Sequence, residues 1–448
     1  MMRVKKSVCC ILSAFFLIPF ISSCSGRVRP DTLVPDKHTS SNTTSSDEYE
    51  KEELTKDEIT LVVWDSGNSV DSCIKQAGKK FNEIYPNIHI EYYEADFSST
   101  PELLISGEYN LPRPDLFASS HDFLPRMADA EIILPTKNYE EITNTTLSAV
   151  YSPLFYKDVM YGYPVARETY ALFYNTALLH PDDVPKTWEE MQVFAESIPK
   201  LFPNKYGFLF PCNSIFYLSS FLSEHYNQLL PEKGETGLLT TEALNGVELI
   251  RSFLPYFPDG ALNLTLTDYE NLFLNNEAAI IIGGSWLIPK AKQSSVSFGI
   301  APLPSFSEDG SRSLALSGTR GMFVHSESEH PDEAAAFAKF LTTKEMQKLR
   351  LDLTSSLPAA NLNINNGLTI SFLDQLEFSY ALPCIEELER LWDYNSQFCA
   401  DVCNDVDAKD ALAKYDHYIK TGSTEGYSPF PSADTPAETE PIESVIAE

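Results

Sequence analysis

The chain has 448 residues, of which 64 are acidic against 33 Lys and Arg, for a formal net charge of −31 at pH 7. That balance repels nucleic-acid phosphates and gains nothing from counterion release, so nucleic acid is excluded as a main partner; anionic lipid head groups repel it too. A 43% hydrophobic content is ample for a core, and the length exceeds the roughly 150 residues of one domain.

Arg3, Lys5 and Lys6 precede an almost unbroken apolar run from Ser7 to Phe20, and Ile21-Ser-Ser then leads to Cys24. The run falls short of the roughly 20 residues that cross a bilayer core, and its basic, apolar and small-residue zones are those of an export signal. Ile21-Ser22-Ser23-Cys24 resembles the bacterial lipobox. The resemblance implies that residues 1–23 are removed and that Cys24 carries acyl chains, holding the protein to the extracytoplasmic face of the cell membrane. An ordinary cleaved signal and an uncleaved anchor are the alternatives. Residues 24–58 then read as the lipidated cysteine and a disordered tether, because Thr39–Ser46 is wholly polar and Asp47–Glu58 is dense in charge.

From 59 onward strands and helices alternate. Ile59-Thr-Leu-Val-Val-Trp64 is a β-rich apolar run; Ile74, Ala77, Phe81 and Ile84 recur at helical spacing, with Pro86 as the stop. Ile88-His-Ile-Glu-Tyr92 alternates as a half-buried strand does, and Asp115-Leu-Phe-Ala118 is a third strand. This β-α-β order predicts an α/β sheet covered on both faces, whose ligand-contacting loops lie at the carboxyl ends of the strands. Trp64-Asp65-Ser66 and Ser119-Ser120-His121-Asp122 fall at such ends. Thr187-x-x-Glu190 is a capping box opening a helix, Ala278-Ala-Ile-Ile-Ile282 is a strand running into Gly283-Gly284, and Pro331 starts a helix that includes Phe337, Leu341 and Leu349. Residues 425–448, with no Lys or Arg, read as a disordered acidic tail.

Beyond Cys24, five cysteines remain: Cys73, Cys212, Cys384, Cys399 and Cys403. An odd number precludes a full disulfide framework, and buried small hydrophobes is the plainer reading. His residues are few and scattered, with no His-Glu-x-x-His, Gly-x-Ser-x-Gly or phosphate-cradling glycine loop. No metal, cofactor or catalytic residue is therefore expected.

Five segments in collinear order carry a wider resemblance: Pro114-Asp-Leu-Phe-Ala-Ser-Ser-His-Asp122; Tyr161-Gly-Tyr-Pro-Val-Ala-Arg-Glu-Thr-Tyr-Ala-Leu-Phe-Tyr-Asn175 with Pro185-Lys-Thr-Trp188; Phe273 through Gly283-Gly-Ser-Trp286; Gly299-Ile-Ala-Pro-Leu-Pro304; and the helix from Pro331 to Leu341. Together they resemble the extracellular solute-binding proteins of ABC importers, family 1, in the sugar-binding group typified by maltose-binding protein. The resemblance implies an α/β, two-lobe periplasmic-binding-protein-like fold of type II, with ligand between lobes joined by hinge strands. Crossovers are expected near 165–168, 301–306 and 353–359, which makes one lobe 59–166 plus 306–354 and the other 167–305 plus 355–424. It also implies a monomer that closes on a carbohydrate, an oligosaccharide by preference, and delivers it to the permease subunits.

A sugar site needs flat apolar faces and planar hydrogen-bonding groups. Carried over from the resemblance, Trp286 is a stacking platform, and Asp122 and Glu168 are carboxylates toward hydroxyls. Asp65 at the end of the first strand, Tyr170 and Arg320 complete the expected set. Each has a plainer reading: Asp65 as a helix cap, Tyr170 as core, and Arg167 and Arg320 as partners of nearby carboxylates. Tyr217 and Trp392 are weaker stacking candidates, while Trp64 and Trp188 read as packing. Ser119 and Phe123 depart from the maltose-binding pattern, which argues against maltose itself. Peptides, polyamines or organic acids are the next ligand classes, a surface adhesin or sensor a further role, and a glycoside-acting enzyme with paired carboxylates the rival class.

Overall fold

Leu61, Val63 and Trp64 are fully buried in the strand Ile59–Asp65 (β1), as an apolar run covered on both faces should be. The computed structural model describes residues 49–430, apart from 224–227, 231–234, 308–309, 311, 386 and 429. The expected signal and Cys24 lie outside the described residues, and among those described no helix is long and apolar enough to cross a membrane.

A helix over Val70–Ile84 follows β1, burying Val70, Ile74, Ala77 and Phe81 and ending at Tyr85 before Pro86. Strands Ile88–Glu94 (β2) and Leu116–Ser120 (β3) both pair with β1 in parallel. Later strands are Phe155–Tyr156 (β4), Val159–Met160 (β5), Tyr163–Glu168 (β6), Tyr170–Asn175 (β7), Tyr206–Leu209 (β8), Ala278–Gly284 (β9), Phe298–Ala301 (β10), Ala315–Val324 (β11) and Ser379–Ala381 (β12). The first sheet runs β12-β11-β3-β1-β2 with β6 also on β11, the second runs β10-β7-β9-β8, and β4 and β5 form a small ribbon. In the second sheet alternate residues feed different cores: Leu172, Tyr174, Ile280 and Ile282 join one, Ala171, Phe173 and Ile281 the other. That is the two-residue period of a sheet with helices on both faces.

The chain passes between the sheets at Thr169, where β6 of the first sheet becomes β7 of the second, and again across residues 302–314 between β10 and β11. A third passage follows the helix Lys344–Thr354, where the Arg167 N–H donates to the Leu357 carbonyl at 2.8 Å. The ten-residue β11 was not among the expected strands. It pairs with β3, β6 and β12.

Three expectations need correction. Residues 355–424 do not belong to the second lobe alone: β12 adds to the first sheet, Leu316 pairing with Tyr380 in parallel, because β11 extends beyond β3 and offers its start as an edge. The stretch 49–58 is no free tether. Tyr49 and Leu54 pack on the first core, Lys339 pairs with Glu52 at 2.9 Å, and the Glu333 carboxylate accepts the Thr55 N–H at 2.9 Å. Some of its charges, read as a sign of disorder, find fixed partners, Lys51 on the Ile84 carbonyl and Glu52 on Lys339 among them. The start of the acidic tail is likewise held: Tyr427 donates to Asp410, and Phe430 packs on the second core. All five cysteines beyond Cys24 are unbridged, with Cys73, Cys212 and Cys399 buried.

Candidate functional site

Asp65, expected to face ligand, is fully buried. Its Oδ1 accepts from Arg320 Nη2 and its Oδ2 from Arg350 Nη2 at 3.0 Å. The correction has an electrostatic reason: a carboxylate removed from water needs cations and donors around it, and two guanidiniums plus the Ser66 N–H at 2.8 Å supply them. Burial pushes the Asp65 pKa up, but Arg320 and Arg350 together pull it below the usual carboxylate range. Arg320, also expected at the ligand, is spent in the same way. Its Nη2 donates to Asp65 and, at 2.6 Å, to the Ser66 carbonyl, and its guanidinium lies 4.3 Å from the Phe97 ring centre. Its Nη1 stands 3.7 Å from Glu168 Oε1, so Arg320 positions Glu168.

Glu168 closes β6, and Asp122 lies in the single helical turn His121–Phe123 after β3, both at strand carboxyl ends. The structure brings these two acids to one cavity of about 40 Å³, against Phe216, Leu382 and Trp392 from the other side and Gly318 of β11. Phe216 comes from the second-lobe helix Ile215–Leu222 and Trp392 from the helix Glu387–Asp393. Burial raises the Glu168 pKa, opposed by Arg320 and reinforced by the Asp122 charge. Two residues that line this cavity each carry a buried polar atom without a hydrogen-bond partner: Asp122 Oδ1, an acceptor, and Trp392 Nε1, a donor. Buried polar atoms are normally paired, and these two come from opposite lobes.

His121 ties the walls together. Its Nδ1 accepts the Thr319 N–H at 3.3 Å, so Nε2 carries the proton and donates to the Leu382 carbonyl at 3.1 Å. Burial holds its pKa below the ordinary imidazole value, against the pull of Asp122. Cys384 Sγ donates to the carbonyls of Pro153 at 2.9 Å and His121 at 3.3 Å. The segment leading to Trp392 is thus pinned to the first lobe.

The other expected residues lie elsewhere. Tyr170 is fully buried, its hydroxyl 3.0 Å from Ser219 Oγ and accepting the Leu316 N–H at 3.2 Å; its ring packs against Phe216 and Tyr217. It is a core residue behind the aromatic wall, and Tyr217 is buried beside it. Trp286 is partly exposed and does not line the cavity: its ring covers Gly284, where a Cβ would come within 2.1 Å, and its Nε1 donates to the buried Glu270 at 3.2 Å. Phe216 escaped the sequence reading, and the structure sets it apart: it alone of Ile215–Leu222 is only partly buried.

Solved structures share this fold. The MalX protein of Streptococcus pneumoniae in complex with maltopentaose superposes with a TM-score of 0.72 at 21% identity, over 81% of this chain and all (100%) of that one. A cyclo/maltodextrin-binding protein complexed with maltotetraose gives 0.69 at 24%, over 82% and 98%. Among curated proteins, a maltotriose-binding protein of Pyrococcus abyssi is 23% identical over 80% of this chain and 81% of its own. A galactooligosaccharide-binding protein of Bacillus subtilis is 24% identical over 74% and 82%. The family model for bacterial extracellular solute-binding proteins matches residues 65–348, well over half of the chain, and this protein belongs to that family.

Proposed function

We propose that this protein captures a neutral oligosaccharide in the cleft holding Asp122, Glu168, Phe216 and Trp392, and delivers it to an ABC importer. One observation carries the reading: two residues that line the same cavity, Asp122 and Trp392, hold an unpartnered carboxylate oxygen and an unpartnered indole N–H. A hydroxyl is both donor and acceptor, so sugar hydroxyls suit both the carboxylate oxygen and the indole N–H. Phe216 and Trp392 supply apolar faces for a pyranose ring. The chain is anchored by acyl groups on Cys24 at the extracytoplasmic membrane face, acts as a monomer, and turns nothing over.

The test is calorimetric titration with maltotriose and with galactooligosaccharides, followed by product analysis. Asp122→Asn and Trp392→Ala should each weaken binding by about tenfold or more, the worth of a buried hydrogen bond or ring contact. Unchanged affinity in both variants sinks the site. The raised Glu168 pKa beside a second acid would also suit a general acid of sugar hydrolysis. Release of shorter saccharides on incubation, abolished in Glu168→Gln, would establish that reading instead.

A further inference from the structure

Arg167 and Glu168 are neighbours in β6, and consecutive strand residues point to opposite faces, so Arg167 turns away from the Asp122 cavity. It lines a second and larger cavity, about 540 Å³, whose walls include Phe155 of the first lobe, Leu230 of the second, Ser317 of β11, and Tyr380 and Leu382 of the returning segment. Among the described residues lining it, Arg167 is the only charged one. Its Nε donates to the Pro358 carbonyl at 3.0 Å, and among the described residues its guanidinium has no carboxylate partner. Burial alone acts on its pKa, down to about 10, and it stays cationic at neutral pH. In a chain with 64 acids and 33 Lys and Arg, a half-buried guanidinium without an acid is out of keeping; Arg320 and Arg350, by contrast, share Asp65.

Guanidinium has five donors in a planar fork, and among the described residues only one is spent on the protein. The remaining geometry matches a carboxylate bidentately. The size lies within the range of small-molecule sites, whose walls are mostly apolar with a few directed polar groups. We propose that this cavity binds a small organic carboxylate with an apolar body, its carboxylate on the Arg167 fork and its body against Phe155, Leu230 and Tyr380. Because the walls come from both lobes, such an occupant biases their relative position, and it changes the affinity of the Asp122 cleft by the same factor that a cleft ligand changes its own. This last clause rests on the carbohydrate reading; the site itself does not.

Benzoate and hexanoate serve as probes, with benzyl alcohol as the uncharged control, on the purified protein without saccharide. Calorimetry and thermal melts should register saturable binding of at least one carboxylate and none of benzyl alcohol. Arg167→Gln should weaken it by about tenfold or more, as loss of a charge-assisted hydrogen bond requires. Arg167→Lys, which keeps the charge and loses the fork, should fall between and covers the case in which the Gln variant does not fold. No binding of either carboxylate at concentrations up to about 10 mM, beyond the weak end of the affinity scale, overturns the proposal, as does equal binding by the wild type and both variants. Saccharide binding with no carboxylate binding sinks this site alone; carboxylate binding with no saccharide binding sinks the carbohydrate reading alone.

Discussion

Asp65→Asn would remove the carboxylate that Arg350 pairs with and leave Arg320 only Glu168 at 3.7 Å, with the two guanidiniums at 3% and 6% exposure. Removing one partner of a buried ion cluster costs about 3–5 kcal/mol, because the remaining charges are not solvated; chemical denaturation of the variant should reveal a loss of that order. The same carboxylate makes stability depend on acid. Its folded pKa lies below the unfolded value, so its contribution is complete above about pH 4 and is lost as pH falls through the depressed value. His121 and His325, whose pKa values burial holds down, act at higher pH. Below the ordinary imidazole value the unfolded chain binds protons that the folded one refuses, so stability falls as pH drops through about 6.5. Glu168 has the opposite sign: its raised pKa lets the folded state take up a proton first, which offsets part of the loss as pH falls further. The melting temperature should therefore decline from pH 7 downward, and His121→Gln should make that decline shallower; an unaltered slope would show that His121 is not its source.

At the scale of elements, the predicted capping box is present. Thr187 Oγ1 accepts the Glu190 N–H at 3.2 Å, and Glu190 accepts from the Thr187 N–H at 3.3 Å. Thr187→Ala should cost about 1 kcal/mol, read from the shift in urea midpoint at unchanged slope. Gly246 is a sharper case. A Cβ there would come within 2.1 Å of the Phe221 carbonyl oxygen, since the helices Thr241–Phe253 and Ile215–Leu222 cross at that point. Gly246→Ala raises intrinsic helix propensity, yet it must push backbone from backbone, at about 1–3 kcal/mol or more; a stabilised variant would contradict the close approach. The elements that could be read in advance were those whose pattern is local, such as the helix Val70–Ile84 with its stop at Pro86. Strand β11 was not among them. Its Ser317-Gly-Thr-Arg-Gly321 has the composition of a turn, and it is a strand because β3, β6 and β12 satisfy its backbone on both sides.

For the whole molecule, the Asp122 cavity of about 40 Å³ admits about one water-sized group, which is too little for a pyranose ring. The lobes must part before a saccharide enters, with the connections at Thr169, between β10 and β11, and after the helix Lys344–Thr354 as the axis. Stopped-flow tryptophan fluorescence should then give an association rate that levels off as saccharide concentration rises, since opening precedes capture. A rate that climbs linearly to the diffusion limit would mean that a ready-made open cleft takes the ligand directly.

What the sequence determined by itself was whatever depends on near neighbours and on order: the β-α-β opening, the helix starts, the acidic balance that excludes nucleic acid, and five segments in the order of the family. It could not tell which acid faces the cleft. Asp65 and Asp122 look alike locally, each at a strand end, and the tertiary structure separated them by bringing Arg320 and Arg350, 255 and 285 residues away, onto Asp65. The same holds for Trp392, ranked low in sequence and placed against Asp122 by the fold, and for Tyr170, which packs behind the wall it was expected to form. Periodicity and capping act over a few residues, whereas burial, ion pairing and the shape of a cleft are decided by parts of the chain that meet only after folding.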